Sequence, residues 1–302
     1  MSFNENARLD PSRVSDARGR GGRAGVAIGG GGGILVLLLA IIFGPQAVSG
    51  LVNTSPGELT TNVRGTGGTV LNDECTSGAA ANQRSDCLIV GTLNSLDDYW
   101  AGAAQALRVG DFVAPAAQIF SGSTATACGN ATSAVGPFYC PGDSTIYIDP
   151  DFFQELTSSY GADSGQLAQE YVVAHEYGHH MQALTGTIGN SSSGSGATGG
   201  SVRVELQADC YAGVWANHAA STADASGRRF LEPLTNEDVT SALSAAAAVG
   251  DDHLQKQATG RVNPESWTHG SSAERQAWFM QGYRQGDPGA CDTFSARDLT
   301  RP

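Results

Sequence analysis

His175-Glu176-Tyr177-Gly178-His179 places two imidazoles four residues apart, with a carboxylate beside the first. The surrounding pattern predicts a helix over about 165–184, on which residues i and i+4 stand one above the other. Two imidazoles so placed can converge on one tetrahedral zinc ion, and Glu176 between them can reach a water on that ion. With 6 His in 302 residues, a shuffled chain would contain this pattern only about 0.004 times. Gly178 keeps that helix surface low, so another element can pack close. His180 points about 100° away from His179 on a helix and reads as a non-ligand.

A catalytic zinc site needs a third protein ligand and an open position. A second predicted helix, about 202–219, carries Glu205 and Asp209 on one face. Glu205 can complete a His₂Glu set, and Asp209 can accept the free ring N–H of a ligand histidine, fixing its tautomer. The competing reading is a pair of acids on a solvated face. Their neighbours Leu206, Ala208, Cys210, Tyr211, Ala212, Val214 and Trp215 argue against it.

His175-Glu176-x-x-His179 followed by Glu205-x-x-x-Asp209 resembles the gluzincin pattern of zinc metallopeptidases. Longer strings carry a closer resemblance. They are Cys128-Gly129, Gly136-Pro137-Phe138-Tyr139-Cys140-Pro141, the 174–182 and 201–215 runs, Gly250-Asp251-Asp252, and Thr268-His269-Gly270-Ser271-Ser272 with Arg275, Trp278 and Phe279. Together they resemble a bacterial family of membrane-anchored neutral zinc metallopeptidases, over roughly residues 70–295.

The resemblance implies an α+β, zincin-like domain with a small β-sheet and a mainly helical second half. It implies one Zn²⁺ per chain on His175, His179 and Glu205, with Glu176 as general base and a peptide or protein as substrate. By analogy, the hairpin around Gly136–Ile148 is the edge that extended substrate would join. His269 resembles the histidine of a Thr-His-Pro stretch in membrane-associated gluzincins, with Gly270 replacing the proline. It is either a second oxyanion donor or a histidine bonded to backbone at a helix start. Asp251 and Asp252 could bind metal, face solvent at a helix terminus, or bond Arg275. Trp278 and Phe279 read as core. Two other functions stay open: a non-catalytic zinc-stabilised binding module, and a hydrolase of another amide. A structural zinc site has no need of Glu176, so its presence favours the enzyme.

The elements that must position these residues lie in one domain, about 71–295. A helix is expected over 96–107, capped by Ser95, and a short strand near 118–121. The 136–148 region reads as a hairpin. Further helices start at Asp151, at Thr235 with Asp238 three residues on, and at Ser271 with Glu274 in capping-box form. Residues 185–200 read as a loop, and 296–302 as a tail.

From Ala24 to Val52 there is no charged residue, and Ile34–Phe43 is continuously apolar. Residues 24–48 are long enough to span a bilayer as one helix. Arginines flank only its N-terminal side, so the positive-inside rule puts a disordered 1–23 tail in the cytoplasm. After a 49–70 linker, the domain would lie outside the cell membrane. A cleaved signal peptide ending near Ala47-Val48-Ser49 and a buried core helix are the alternatives.

The six cysteines agree with an oxidising compartment, and no Cys-x-x-Cys suggests a zinc ribbon. Six allow 15 pairings. Close spacing favours Cys75–Cys87 and Cys128–Cys140, which leaves Cys210–Cys291; free buried thiols are the alternative. Net charge is −13. Residues before 24 carry +2, and the remainder carries 12 basic against 27 acidic groups, or −15. That balance argues against a nucleic-acid partner.

Overall fold

The computed structural model of the protein describes residues 2–18, 68–190 and 194–302. Strand β1 (Val14–Asp16) precedes helices α1 (Gly68–Glu74), α2 (Gly78–Ala81) and α3 (Ser85–Ala103). Strands β2 (Ala116–Ile119), β3 (Ser123–Thr126), β4 (Gly129–Thr132), β5 (Phe138–Cys140) and β6 (Thr145–Ile148) follow. The second half holds α4 (Asp151–Ser158), α5 (Gln166–Leu184), the short α6 (Thr187–Asn190), α7 (Gly200–His218), α8 (Asn236–Ala248), α9 (Asp251–Thr259) and α10 (Ser272–Gln285). The fold is mixed, with small sheets and a helical second half.

The main sheet has the order β1-β2-β6-β5. β1 and β6 run parallel to β2, whereas β5 runs antiparallel to β6, with Tyr139 opposite Ile146. β5 is therefore an edge strand, and the expected hairpin is present. β3 and β4 form a separate ribbon.

α5 is the central helix, in contact with α3, α7 and α8. A helix buried on most of its circumference has little amphipathic character, and here only scattered positions such as Gln169 and His179 reach partial exposure. α7 is buried in the same way and lies between α5 and α10. Its approach depends on missing side chains. A Cβ on Gly178 would lie 3.0 Å from Ala208 Cα, and one on Gly282 would lie 2.0 Å from the Cys210 carbonyl oxygen. The capping boxes at Thr235–Asp238 and Ser271–Glu274 both form. Disulfides join Cys75–Cys87, Cys128–Cys140 and Cys210–Cys291.

Several expectations are corrected. Residues 2–18, expected within a disordered tail, are part of the core: Phe3, Ala7, Leu9 and Val14 are buried, and β1 pairs with β2. Phe3 packs where a side chain at Gly91 would otherwise sit. Arg18 bonds Asp16 and Asp86, tying this segment to α3. A contiguous pattern that begins at residue 70 cannot reveal partners this remote in sequence. α3 starts ten residues before Ser95, which is buried mid-helix and accepts a bond from Trp215 Nε1 at 3.1 Å. The 296–302 tail is anchored by buried Leu299, whose carbonyl accepts from Trp278 Nε1 at 2.9 Å. The expected anchor, 24–48, lies outside the described residues. Among the described residues no helix is long and apolar enough to cross a membrane.

Candidate metal centre and active site

Helix α5 presents His175, Glu176 and His179, and α7 presents Glu205 and Asp209. The ligand atoms of His175, His179 and Glu205 all lie within 4.8 Å of one another. His175 Nε2 is 3.1 Å from Glu205 Oε2, and His179 Nε2 is 3.5 Å from Glu205 Oε1. The far side of each ring is taken. His175 Nδ1 lies 2.8 Å from Asp209 Oδ1, and His179 Nδ1 lies 2.8 Å from Gln182 Oε1. With acceptors beside both Nδ1 atoms, both Nε2 atoms face Glu205, and on deprotonation they would offer the lone pairs that a zinc site of two imidazoles and a carboxylate requires. The donor set fits zinc. The other close cluster among the described residues, Cys75, Asp86 and Cys87, offers no thiolate, because the cysteines are disulfide-bonded.

Asp209 is the expected partner of His175, and it has two further ones. Arg275 Nε donates to its Oδ2 at 2.8 Å and Nη2 to Oδ1 at 2.9 Å, while the Tyr171 hydroxyl donates to Oδ1 at 2.5 Å. Burial raises the Asp209 pKa, but Arg275 and His175 outweigh it and hold the carboxyl below its ordinary range. Glu205 is also lifted by burial, and His179 and His175 pull it well below that range. His175 is disfavoured as a cation by burial, yet Asp209 and Glu205 raise its pKa to about 10 in the metal-free site.

Glu176 is buried and has no hydrogen-bond partner among the described residues, and burial raises its pKa against the opposing histidines. It lines a cavity of about 150 Å³ together with His175, His179, Glu205, His269 and Arg275. The remaining wall is apolar or aromatic, including Val135, Phe138, Phe152, Val172, Val204 and Leu254. β5 and its flanks, Gly136 to Pro141, form one rim of this cavity.

His269 is brought to the same cavity and not to the ligand cluster. Asp251 Oδ2 accepts the backbone N–H groups of Thr268, His269 and Gly270 at 2.7, 2.7 and 3.1 Å. Its Oδ1 lies 3.3 Å from His269 Nδ1, and the ring's Nε2 is buried without a partner among the described residues. Asp251 thus holds the His269 turn, not Arg275, and Asp252 bonds Ser272 at the start of α10. His180 is not in the cluster; it bonds the Tyr139 hydroxyl and the Val113 carbonyl. Trp278 and Phe279 are core. Tyr171 and Gln182 escape a reading of the sequence, although both lie at helical spacing from the histidines, at i−4 and i+3.

Two histidines and a glutamate on packed buried helices, with a carboxylate beside an apolar cleft, form the donor set and cleft that a zinc-peptidase site would need. The chain belongs to the family described as "putative neutral zinc metallopeptidase", whose sequence profile matches residues 3–294. Uncharacterized protein Mb2605 of Mycobacterium bovis and Rv2575 of Mycobacterium tuberculosis are each 54% identical over 228 residues, 75% of this chain and 76% of the relative. Uncharacterized protein YpfJ of Escherichia coli K12 is 44% identical over 186 residues, 60% of this chain and 61% of its own length. No solved structure matches the chain.

Proposed function

We propose that this chain is a zinc-dependent endopeptidase. The observation that carries the reading is the convergence of His175, His179 and Glu205 beside the buried carboxylate of Glu176, on one cavity rimmed by an edge strand. His175, His179 and Glu205 would hold zinc, which supplies Lewis acidity toward water and a carbonyl oxygen. An extended peptide adds to the open side of β5, its scissile bond over Glu176. Glu176 takes the proton of the attacking water and returns it to the leaving amine. A base lifted by burial toward neutral pH suits that double task.

His269 supports the developing oxyanion. Burial disfavours its cation, but Asp251 and Glu205 raise its pKa. With Asp251 on the Nδ1 side, the charged ring still carries an N–H at Nε2, which is buried and has no partner among the described residues.

Glu176→Gln keeps the shape of the side chain and removes the base. Zinc content, read by mass spectrometry, is expected to stay at the wild-type level, while cleavage of an unfolded protein falls by about 10²–10⁴-fold. Undiminished cleavage in the mutant would exclude Glu176 as the base, and with it this mechanism. Wild-type protein that holds zinc and cleaves no peptide would return the function to a binding module.

A further inference from the structure

The two histidines are supported by different chemistry. His175 leans on a carboxylate that is itself paired to Arg275. His179 leans on a neutral amide, Gln182, one turn further along α5 and fully buried. A buried amide must have its donors and acceptor matched. Gln182 Nε2 donates to the Val204 carbonyl at 2.7 Å and to Gln207 Oε1 at 3.1 Å. Both N–H bonds are then committed to oxygens, which leaves Oε1 as the atom facing His179. Gln207 is fixed in turn, because its Nε2 donates to the Cys291 carbonyl at 2.9 Å. Cys291 is tethered to α7 by the disulfide to Cys210.

The direction of every bond in this chain is set from its far end. Cys291 offers only a carbonyl, so Gln207 must present its amide nitrogen there and its oxygen to Gln182. Gln182 must then present its oxygen to His179, whose ring can answer only with Nδ1–H. The lone pair of His179 is left on Nε2, beside Glu205. The same amide bonds the carbonyl of Val204, the residue before Glu205, and so also holds α5 against α7 at the third ligand.

We infer that Gln182 is a positioning residue for the metal site, and that Gln207 and Cys291 lock its orientation. This rests on the reading of His179 as a ligand. The role requires an acceptor opposite His179 Nδ1, which separates it from plain packing. Gln182→Glu keeps an acceptor and gives up both donors. Gln182→Met keeps the volume and offers no comparable acceptor.

Zinc affinity of the full chain, measured by competition with a chromogenic chelator, is expected to fall about 10–100-fold in Gln182→Met. Gln182→Glu keeps the acceptor for His179 and loses the donors to Val204 and Gln207, so its loss is expected to be smaller than that of Gln182→Met. On the cobalt-substituted protein, the visible absorption of a tetrahedral site should be preserved in Gln182→Glu and altered in Gln182→Met. Equal losses in the two variants would assign Gln182 to helix packing and overturn the inference, as would no loss in either. A measurement on the unmodified zinc protein needs no variant to fold: the ¹⁵N shifts of the His179 ring should report a proton on Nδ1, and a proton on Nε2 would overturn the assignment. His179→Ala is the control. If it binds zinc as tightly as wild type, the ligand reading itself fails. If it loses zinc while Gln182→Met does not, only the role of Gln182 fails.

Discussion

At Asp209 three side chains meet on one buried carboxylate: Arg275 by a two-bond fork, Tyr171 by its hydroxyl, and His175 by its ring. The arrangement has a consequence for the metal-free protein. His175 has its pKa raised from 6.5 to about 10, so the folded state keeps a proton that the unfolded chain has already released at neutral pH. The stability from this group is fully present below about pH 6.5 and is lost as pH rises through the folded value. The urea midpoint of chelated protein should therefore fall from pH 7 to pH 10, and by less in His175→Gln. Zinc reverses the sign of the pH effect on binding, because the ligand form of the ring is neutral: affinity should rise over the same interval. Parallel pH profiles for wild type and His175→Gln would show that the ring holds no such proton.

Among the elements, the decisive contact is α7 wedged between α5 and α10, since α7 alone carries both Glu205 and Asp209. Gly282 lets the α10 backbone touch α7 at Cys210. Gly282→Ala must push the helices apart, and overpacking of that kind costs about 1–3 kcal/mol. Gly102, in the last turn of α3, has open space where a Cβ would stand, with no atom within 4 Å, so Gly102→Ala should stabilise by about 0.5–1 kcal/mol. Urea unfolding of the two variants measures both, and equal effects would refute the close-contact argument. Helical spacing made α5, its His175 and His179 face, and the shared face of Glu205 and Asp209 legible in the sequence, because i and i+4 are local relations. Capping boxes made Thr235 and Ser271 legible for the same reason. Arg275 on Asp209 and Asp251 under His269 were not, because these partners are 66 and 18 residues apart and meet only through tertiary packing. β1 was hidden similarly: its three residues gain their strand character only from β2, about a hundred residues on.

For the molecule as a whole, the N-terminal segment changes what topology can be. Residues 2–18, 68–190 and 194–302 share one core, with Phe3 and Val14 in the same apolar cluster as Trp215. The family profile also begins at residue 3, so this segment belongs to the family's common sequence and is not an appendage. The described residues on either side of the uncharged stretch, those up to Arg18 and those from residue 68, belong to a single folded body. A single membrane crossing between residue 18 and residue 68 would separate β1 from β2 and empty the Phe3 site. Losing a buried Phe side chain costs about 3–5 kcal/mol, before the strand pairing and the Arg18 bonds to Asp16 and Asp86 are counted. The two ends of the chain are thus expected on the same side of any membrane. All six cysteines of the chain are paired, so single cysteines can be introduced at the exposed positions Ser12 and Thr300 and probed in intact cells with a membrane-impermeant maleimide. Both should be labelled, or both protected until the cells are opened. Labelling of one alone would mean that the N-terminal segment leaves the domain in the cell. Phe3→Ala would then leave the thermal stability of the membrane-extracted protein unchanged, where the docked segment requires a clear loss.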